Sequence, residues 1–251
     1  MDRVSLILTT YNSEEHIERT LASIEKQDYP FVEIIIKDGG SIDRTLHIID
    51  VYSKVSKYVV KWCTSKDNGI YDAMNQGYMM STGNIIVFFN DLFQEPRAIS
   101  KMVQVIEENP ECVGAHADLV YAEDEKVVRY WKMGPQKSIY LGWMPGHPTL
   151  FLKREIYEKY GIYNPDYRIA ADYEFMIRFL KDKDNHLAYL PETIIRMFYG
   201  GTSTGSKESY FLSLREGHKA LKENKIKGAF AIDILRTCRV LMQFFVRKKP
   251  G

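Results

Sequence analysis

The run Tyr58-Val59-Val60-Lys61-Trp62-Cys63 leads, two residues later, into Lys66-Asp67-Asn68-Gly69-Ile70-Tyr71-Asp72-Ala73-Met74-Asn75. The first run is apolar and rich in β-branched and aromatic side chains, the pattern of a strand. The second opens a helix-patterned stretch from about Gly69 to Ser81. A strand that feeds a helix through a short polar loop brings backbone N–H groups and side chains to the carboxyl edge of a sheet, where α/β proteins bind ligands. Acids, amides and a lysine crowd into this loop and its first helical turn. Reversing the chain does not need so many; holding phosphates and hydroxyls does.

The same alternation recurs on both sides. Residues 4–9 form a continuous apolar run, as in a strand buried on both faces. Asn12 reads as a helix N-cap with Glu15 three residues on, and Ile17, Leu21 and Ile24 mark one helical face. Pro30 ends that segment. Residues 32–37 read as a second strand, Leu46, Ile49 and Tyr52-Ser53 as a second helix, and residues 84–90 as a fourth strand. This βαβαβαβ order predicts an α/β fold with a mostly parallel central sheet flanked by helices.

Beyond Asp91 the pattern changes. Residues 97–108 read as a helix, and residues 112–121 and 127–132 as a hairpin turning at Glu123-Asp124-Glu125. A Gly- and Pro-rich loop reaches Pro148, and helices follow near Arg154 and Asp172. This half reads as a less regular layer over the sheet's edge, where a second substrate would sit. The expected organisation is residues 1–95 and 96–205 as two halves of one domain, with residues 206–251 as a helical tail.

The 251 residues are 45% hydrophobic and 27% charged with a net charge of +1, which is ordinary for a globular protein and exerts no overall pull on nucleic acid. Charge is uneven, however: residues 219–249 hold nine basic residues against Glu223 and Asp233. Cys63, Cys112 and Cys238 are widely spaced, which points to reduced, buried thiols in a cytosolic protein rather than a disulfide or zinc framework. Met1-Asp2-Arg3 runs straight into a strand, so no signal peptide is expected. No run of 18 apolar residues exists, so no spanning helix is expected.

Asp38-Gly39-Gly40-Ser41 follows the second strand directly. Paired glycines permit close approach of a ligand, and the carboxylate can accept from the N3–H of a uracil ring; a turn with Ser41 capping the next helix is the plainer alternative. Asn90-Asp91 ends the fourth strand, where a carboxylate can hold a divalent cation bridging two phosphates, or cap a helix. Asp172 opens a helix that carries Phe175, Ile177 and Leu180, and an acid there stabilises the helix by about 0.3–1 kcal/mol whether or not it does chemistry. The G-x-G-x-x-G fingerprint follows none of the strands and no G-x-x-x-x-G-K-[ST] is present, which argues against nicotinamide, flavin and phosphate-loop enzymes.

Thr9-Thr10-Tyr11-Asn12, Asp38-Gly39-Gly40-Ser41, residues 66–75, Asn90-Asp91 and Ala171-Asp172-Tyr173-Glu174 stand in one order and spacing. In these the chain resembles the family 2 glycosyltransferases of bacterial cell-surface polysaccharide synthesis, over roughly two thirds of its length. The resemblance implies the GT-A fold and an inverting transfer from a nucleotide-diphosphate sugar, with UDP as the family's habit, to a hydroxyl of a saccharide or lipid-linked saccharide. It implies Thr9 and Tyr11 against the nucleoside and Asp38 on the base. Residues 66–75, with Lys66, Asp67, Asn68, Gly69, Asp72 and Asn75, would lie near uracil, ribose or diphosphate. Asn90 and Asp91 would sit beside the diphosphate, with Asp91 ligating Mn²⁺ or Mg²⁺. Asp172 would be the general base, and His147 falls on the acceptor side. One departure stands out: the family's usual Asn-Ser-Asp-Asp is here Phe89-Asn90-Asp91-Leu92, with a single acid. A nucleotide-sugar binder that has lost turnover is therefore an alternative. A nucleotidyltransferase is a weaker one, because Thr9 to Ser13 lacks a Gly-rich basic loop.

Residues 229–246 are apolar apart from Asp233, Arg236, Thr237, Arg239 and Gln243, most of which share one helical side. With Arg247-Lys248-Lys249 behind it, this segment reads either as a helix packed on the domain or as a peripheral contact, through residues 227–249, with the inner face of the cell membrane.

Overall fold

A computed structural model of the chain describes residues 1–123, 126–198 and 207–243. Strands β1 (Val4–Thr10), β2 (Val32–Asp38), β3 (Val59–Thr64) and β4 (Ile85–Phe88) are parallel and lie in the order β3-β2-β1-β4. Helices α1 (Ile17–Glu25), α2 (Thr45–Val55) and α3 (Ile70–Met80) connect them. Side chains alternate along each strand, so Leu6 and Leu8 join Leu21 and Ile24 in one core, while Ile7 and Ile35 join Tyr71, Met74 and Tyr78 in the other. Burying each such side chain contributes about 1.5–3 kcal/mol, which is why these runs carry no polar alternation.

The sheet continues as β4-β8-β6-β9-β5, with β7 paired to β6. Its elements are β5 (Leu92–Phe93), β6 (Gly114–Glu123), β7 (Lys126–Trp131), β8 (Phe151–Lys153) and β9 (Leu187–Phe198). Strand β8 is antiparallel to β4 and β6, β5 is antiparallel to β9, and β9 is parallel to β6. The parallel order is thus complete in the first four strands, and the second half is mixed. The expected hairpin is β6–β7. Helices α4 (Ala98–Glu108), α5 (Arg154–Tyr160), α6 (Ala171–Leu180), α7 (Lys207–Glu223) and α8 (Ala229–Met242) complete the chain.

Several local expectations are corrected. Asn12 does not cap α1: it takes a left-handed φ of 46° and its side-chain oxygen accepts from the Ile42 N–H at 3.0 Å. Helix α1 begins later, at Ile17, without a side-chain cap. Strand β9 had no counterpart in the sequence reading, because Pro191-Glu192 interrupts its apolar residues and its register against β6 shifts beside Asp118. Of the thiols only Cys112 is buried; Cys63 is half-buried on the edge strand β3, and Cys238 is exposed on α8. Among the described residues no helix is long and apolar enough to cross a membrane.

Candidate functional site

A cavity of about 1100 Å³ opens at the carboxyl ends of β1, β2 and β4. Thr9, Tyr11, Lys66, Asp67, Gly69, Asn90 and Asp91 all line it. Thr9 and Asn90 lock β1 to β4 reciprocally, the Thr9 N–H donating to Asn90 Oδ1 and the Asn90 amide to Thr9 Oγ1, each at 3.0 Å. Tyr11 is 66% exposed at the rim, free to meet a ring that enters.

Asp38 lies beneath this cavity rather than in its wall. Its buried carboxylate accepts from Thr10 Oγ1 at 2.9 Å, Ser41 Oγ at 2.5 Å, Thr64 Oγ1 at 2.8 Å, and the N–H groups of Gly40 and Ser41 at 2.8 Å. Burial pushes its pKa up, but the bonds from Ser41, Thr64 and Gly40 outweigh it and hold the carboxyl below its ordinary value. Asp38 therefore shapes the loop, and the backbone of Gly39 and Gly40 is what faces the cavity. Ser41 serves that same carboxylate and does not cap α2. A Cβ on Gly39 would lie 2.7 Å from Asp67 Oδ2, so glycine is what lets the two loops close on each other.

Beneath them sits Lys37, fully buried, donating to the carbonyls of Asp38 and Ser65 at 2.6 and 2.7 Å and standing 3.5 Å from Asp67 Oδ2. A lysine directly after Ile34-Ile35-Ile36 in a buried strand is the sequence signal for it.

Three further candidates stand outside the cavity wall. The Asp72 carboxylate turns back onto Asn68, accepting from its N–H at 2.9 Å and its amide at 3.2 Å, and so closes the first turn of α3. Asn75 is buried and makes a two-way bond with the Tyr163 backbone at 2.8 and 3.0 Å. These three join the site's loops together through bonds within the chain.

Asp91 is buried at the cavity floor, and the Phe198 N–H stands 3.3 Å from its Oδ1. Burial raises its pKa to about 7, only partly offset by that N–H. A carboxylate so placed favours a cation beside it. Asn90 has its amide oxygen engaged, and among the described residues no group of three or more His, Cys, Asp or Glu gathers here. The donor set thus fits a hard cation that takes one carboxylate from the protein and the rest of its oxygen ligands from phosphates and water. Met197 and Phe198, at the end of β9, also line the cavity, and the Phe198 ring stacks on His16 at 4.5 Å. Met197 and Phe198 reach the cavity only through the pairing of β9 with β6, which no local pattern encodes.

Asp172 belongs to a second cavity of about 480 Å³, walled by the β6–β7 hairpin, the loop around Gly142, α6 and the two C-terminal helices. It sits in the first turn of α6, with the Tyr71 hydroxyl 2.9 Å from its Oδ1 and 2.5 Å from the Ile169 carbonyl. The residues just before α6 are held by Glu216 of α7, whose carboxylate accepts the N–H groups of Arg168, Ile169 and Ala170 at 2.9–3.0 Å. His147 lines the same cavity, with its Nε2 2.7 Å from the Tyr163 hydroxyl and its pKa lowered by burial, so the imidazole is neutral near pH 7.

Met197 lines both cavities. Tyr121 lines the smaller cavity with Asp172, and its phenol is raised first by burial, against Arg129, and further by the charges of Asp91 and Asp172.

The family model described as Glycosyl transferase family 2 matches residues 5–181. The chain is 28% identical over 179 residues to a "PGL/p-HBAD biosynthesis glycosyltransferase" of Mycobacterium bovis, covering 69% of this chain and 68% of that one. It is 27% identical over 220 residues to an "Uncharacterized glycosyltransferase" of Haemophilus influenzae, covering 81% and 67%. Among solved structures, S. aureus TarS 1-349 with UDP-GlcNAc superposes with a TM-score of 0.70 at 18% identity, covering 96% of this chain and 73% of that one. The mannosyltransferase PcManGT of Pyrobaculum calidifontis, with GDP-Man and Mn²⁺, gives 0.69 at 16% identity, covering 99% and 77%. These two share the GT-A fold with this chain.

Proposed function

The chain belongs to glycosyl transferase family 2, and from that premise we propose that it transfers a hexosyl or N-acetylhexosaminyl group from a nucleotide-diphosphate sugar to a saccharide hydroxyl, with inversion. The observation that carries the reading is the pair of cavities joined at Met197, one holding Asp91 and the other Asp172. A single displacement needs the leaving diphosphate and the attacking hydroxyl on opposite sides of the anomeric carbon, and neighbouring cavities that share Met197 in their linings support that arrangement.

In the larger cavity Tyr11 and the Gly39-Gly40 backbone face the nucleoside, and Lys66 faces the diphosphate. Asp91, with Asn90 beside it, would hold Mn²⁺ or Mg²⁺. Such a cation supplies charge neutralisation on the departing diphosphate. In the smaller cavity Asp172 takes the proton of the acceptor hydroxyl as that oxygen attacks, a step worth roughly 10²–10⁴-fold. Tyr71 holds the carboxylate in place. UDP is the favoured nucleotide on the strength of the TarS likeness, and the product would enter cell-surface polysaccharide. The acceptor is a saccharide, free or on a lipid, and residues 227–249 are the part of the chain that would meet a membrane.

A thermal-shift series of UDP, GDP, dTDP and CDP, each with Mn²⁺ and with EDTA, tests the donor side; UDP with Mn²⁺ is expected to give the largest shift. Asp172→Asn is expected to keep that shift and lose transfer. The absence of a shift with every nucleotide tried would favour a scaffold instead, and turnover within a few-fold of wild type in Asp172→Asn would require another base.

A further inference from the structure

Helix α8 is docked with its polar side inward. Asp233 Oδ2 lies 2.6 Å from His218 Nδ1, the Arg236 guanidinium covers the Tyr173 ring at 4.4 Å, Arg239 Nε donates to the Leu141 carbonyl at 2.9 Å, and Gln243 is buried. The seat is shaped for this arrangement. A Cβ on Gly217 would lie 2.2 Å from the Arg236 guanidinium, and one on Gly142 would lie 2.6 Å from the Arg236 backbone nitrogen.

The outward side carries no polar residue at all. Every exposed residue of the helix is apolar: Phe230, Ala231, Ile234, Leu235, Cys238, Leu241 and Met242. At 100° per residue they cover an arc of about 140°. Phe230 alone is 74% exposed. A helix at a protein–water boundary orients the other way, with its apolar stripe on the core, so this face is built for a surface that is not water.

Charge identifies that surface. Lys225 and Lys227 precede the helix, and Arg247-Lys248-Lys249, outside the described residues, follow it in the sequence. An apolar helical face preceded by Lys225 and Lys227 and followed in the sequence by three more bases matches an anionic bilayer, where each base near the surface adds to binding. The same face adjoins the Asp172 cavity, since Met242 is exposed on it and also lines that cavity, as do Arg239 and Gln243.

We propose that the outward face of α8 lies on an anionic lipid surface, and that the acceptor reaches Asp172 as the sugar of a lipid-anchored molecule held in that surface. The first half stands on α8 alone; the second rests on Asp172 serving the acceptor.

The test is co-sedimentation of the full chain with phosphatidylcholine vesicles, with and without phosphatidylglycerol, and with a solvatochromic dye on Cys238. Pelleting that needs phosphatidylglycerol, with a blue shift of the dye, is expected. Phe230→Glu with Ile234→Glu is expected to weaken vesicle binding roughly tenfold or more, because binding scales with the apolar area inserted, while leaving the nucleotide thermal shift in place. Equal pelleting of this variant and wild type, or none by either, overturns the proposal. So does self-association that the same variant abolishes without any dependence on vesicles, which would assign the face to a second copy. Vesicle binding by an Asp172→Asn variant that still transferred sugar would leave the membrane face standing and remove the acceptor site from Asp172.

Discussion

The Tyr71 hydroxyl stands 2.9 Å from Asp172 Oδ1, which ties the first turn of α3, beside the larger cavity, to the first turn of α6, beside the smaller one. Its single proton is shared with the Ile169 carbonyl, 2.5 Å away, and a typical hydrogen bond is worth about 0.5–1.5 kcal/mol, so Tyr71→Phe is expected to lower kcat roughly twofold to tenfold. Donor KM is expected to hold, because Tyr71 does not line the larger cavity. Initial rates at varied donor concentration separate the two effects.

Glu216 fixes the backbone just ahead of Asp172 with both of its oxygens. In Glu216→Gln one oxygen becomes an amide donor facing N–H groups that also donate. With the amide oxygen kept on the Ile169 and Ala170 N–H groups, the Arg168 N–H is left unmet, at a cost of about 1–3 kcal/mol. A lowered Tm and a fall in kcat larger than any change in donor KM are expected; an unchanged Tm would show that the loop keeps its shape without this carboxylate.

Asp91 supplies the carboxylate of the proposed cation site. Asp91→Asn is expected to abolish the part of the nucleotide thermal shift that depends on Mn²⁺ and to leave the part seen in EDTA. Titration calorimetry with UDP, with and without the metal, measures both parts.

Glu33 sets an acid limit on stability. Although its burial raises the pKa, bonds from Ser5, Thr82 and Lys61 lower it from 4.5 to about 2. A carboxylate depressed in the folded state stabilises above its unfolded pKa and loses that contribution as pH falls through its folded one. Up to about 3 kcal/mol is therefore expected to disappear between pH 4.5 and 2. Urea unfolding of wild type and Glu33→Gln across that window should show the difference between them shrinking as pH falls.

Much of the first half was legible because β1, β2 and β4 are buried along nearly their whole length. Apolar-rich cores such as Leu6-Ile7-Leu8 and Ile34-Ile35-Ile36 leave few other conformations, and helix faces such as Ile17, Leu21 and Ile24 follow from period 3.6. The polar loops were legible as a group: Thr9, Tyr11, Lys66, Asp67, Gly69, Asn90 and Asp91 do converge on one cavity. Which polar residue faces inward was not legible. Asp38 and Asn75 have the chemistry of ligand-binding residues, yet their partners are Ser41, Thr64 and the Tyr163 backbone. Those partners lie up to 88 residues away in the chain, so nothing local distinguishes a ligand's hydrogen bond from an internal one.

Helix α8 shows the same division most plainly. The sequence by itself determined that residues 229–242 form a helix with one polar and one apolar side, since both follow from spacing along a single chain segment. Only the tertiary structure decided which side turns inward. That choice depends on His218, Tyr173, Gly217 and the Leu141 carbonyl, which meet Asp233, Arg236 and Arg239 through folding alone. Periodicity gives an amphipathic helix its two faces but carries no reference to the core; contacts with distant residues supply it.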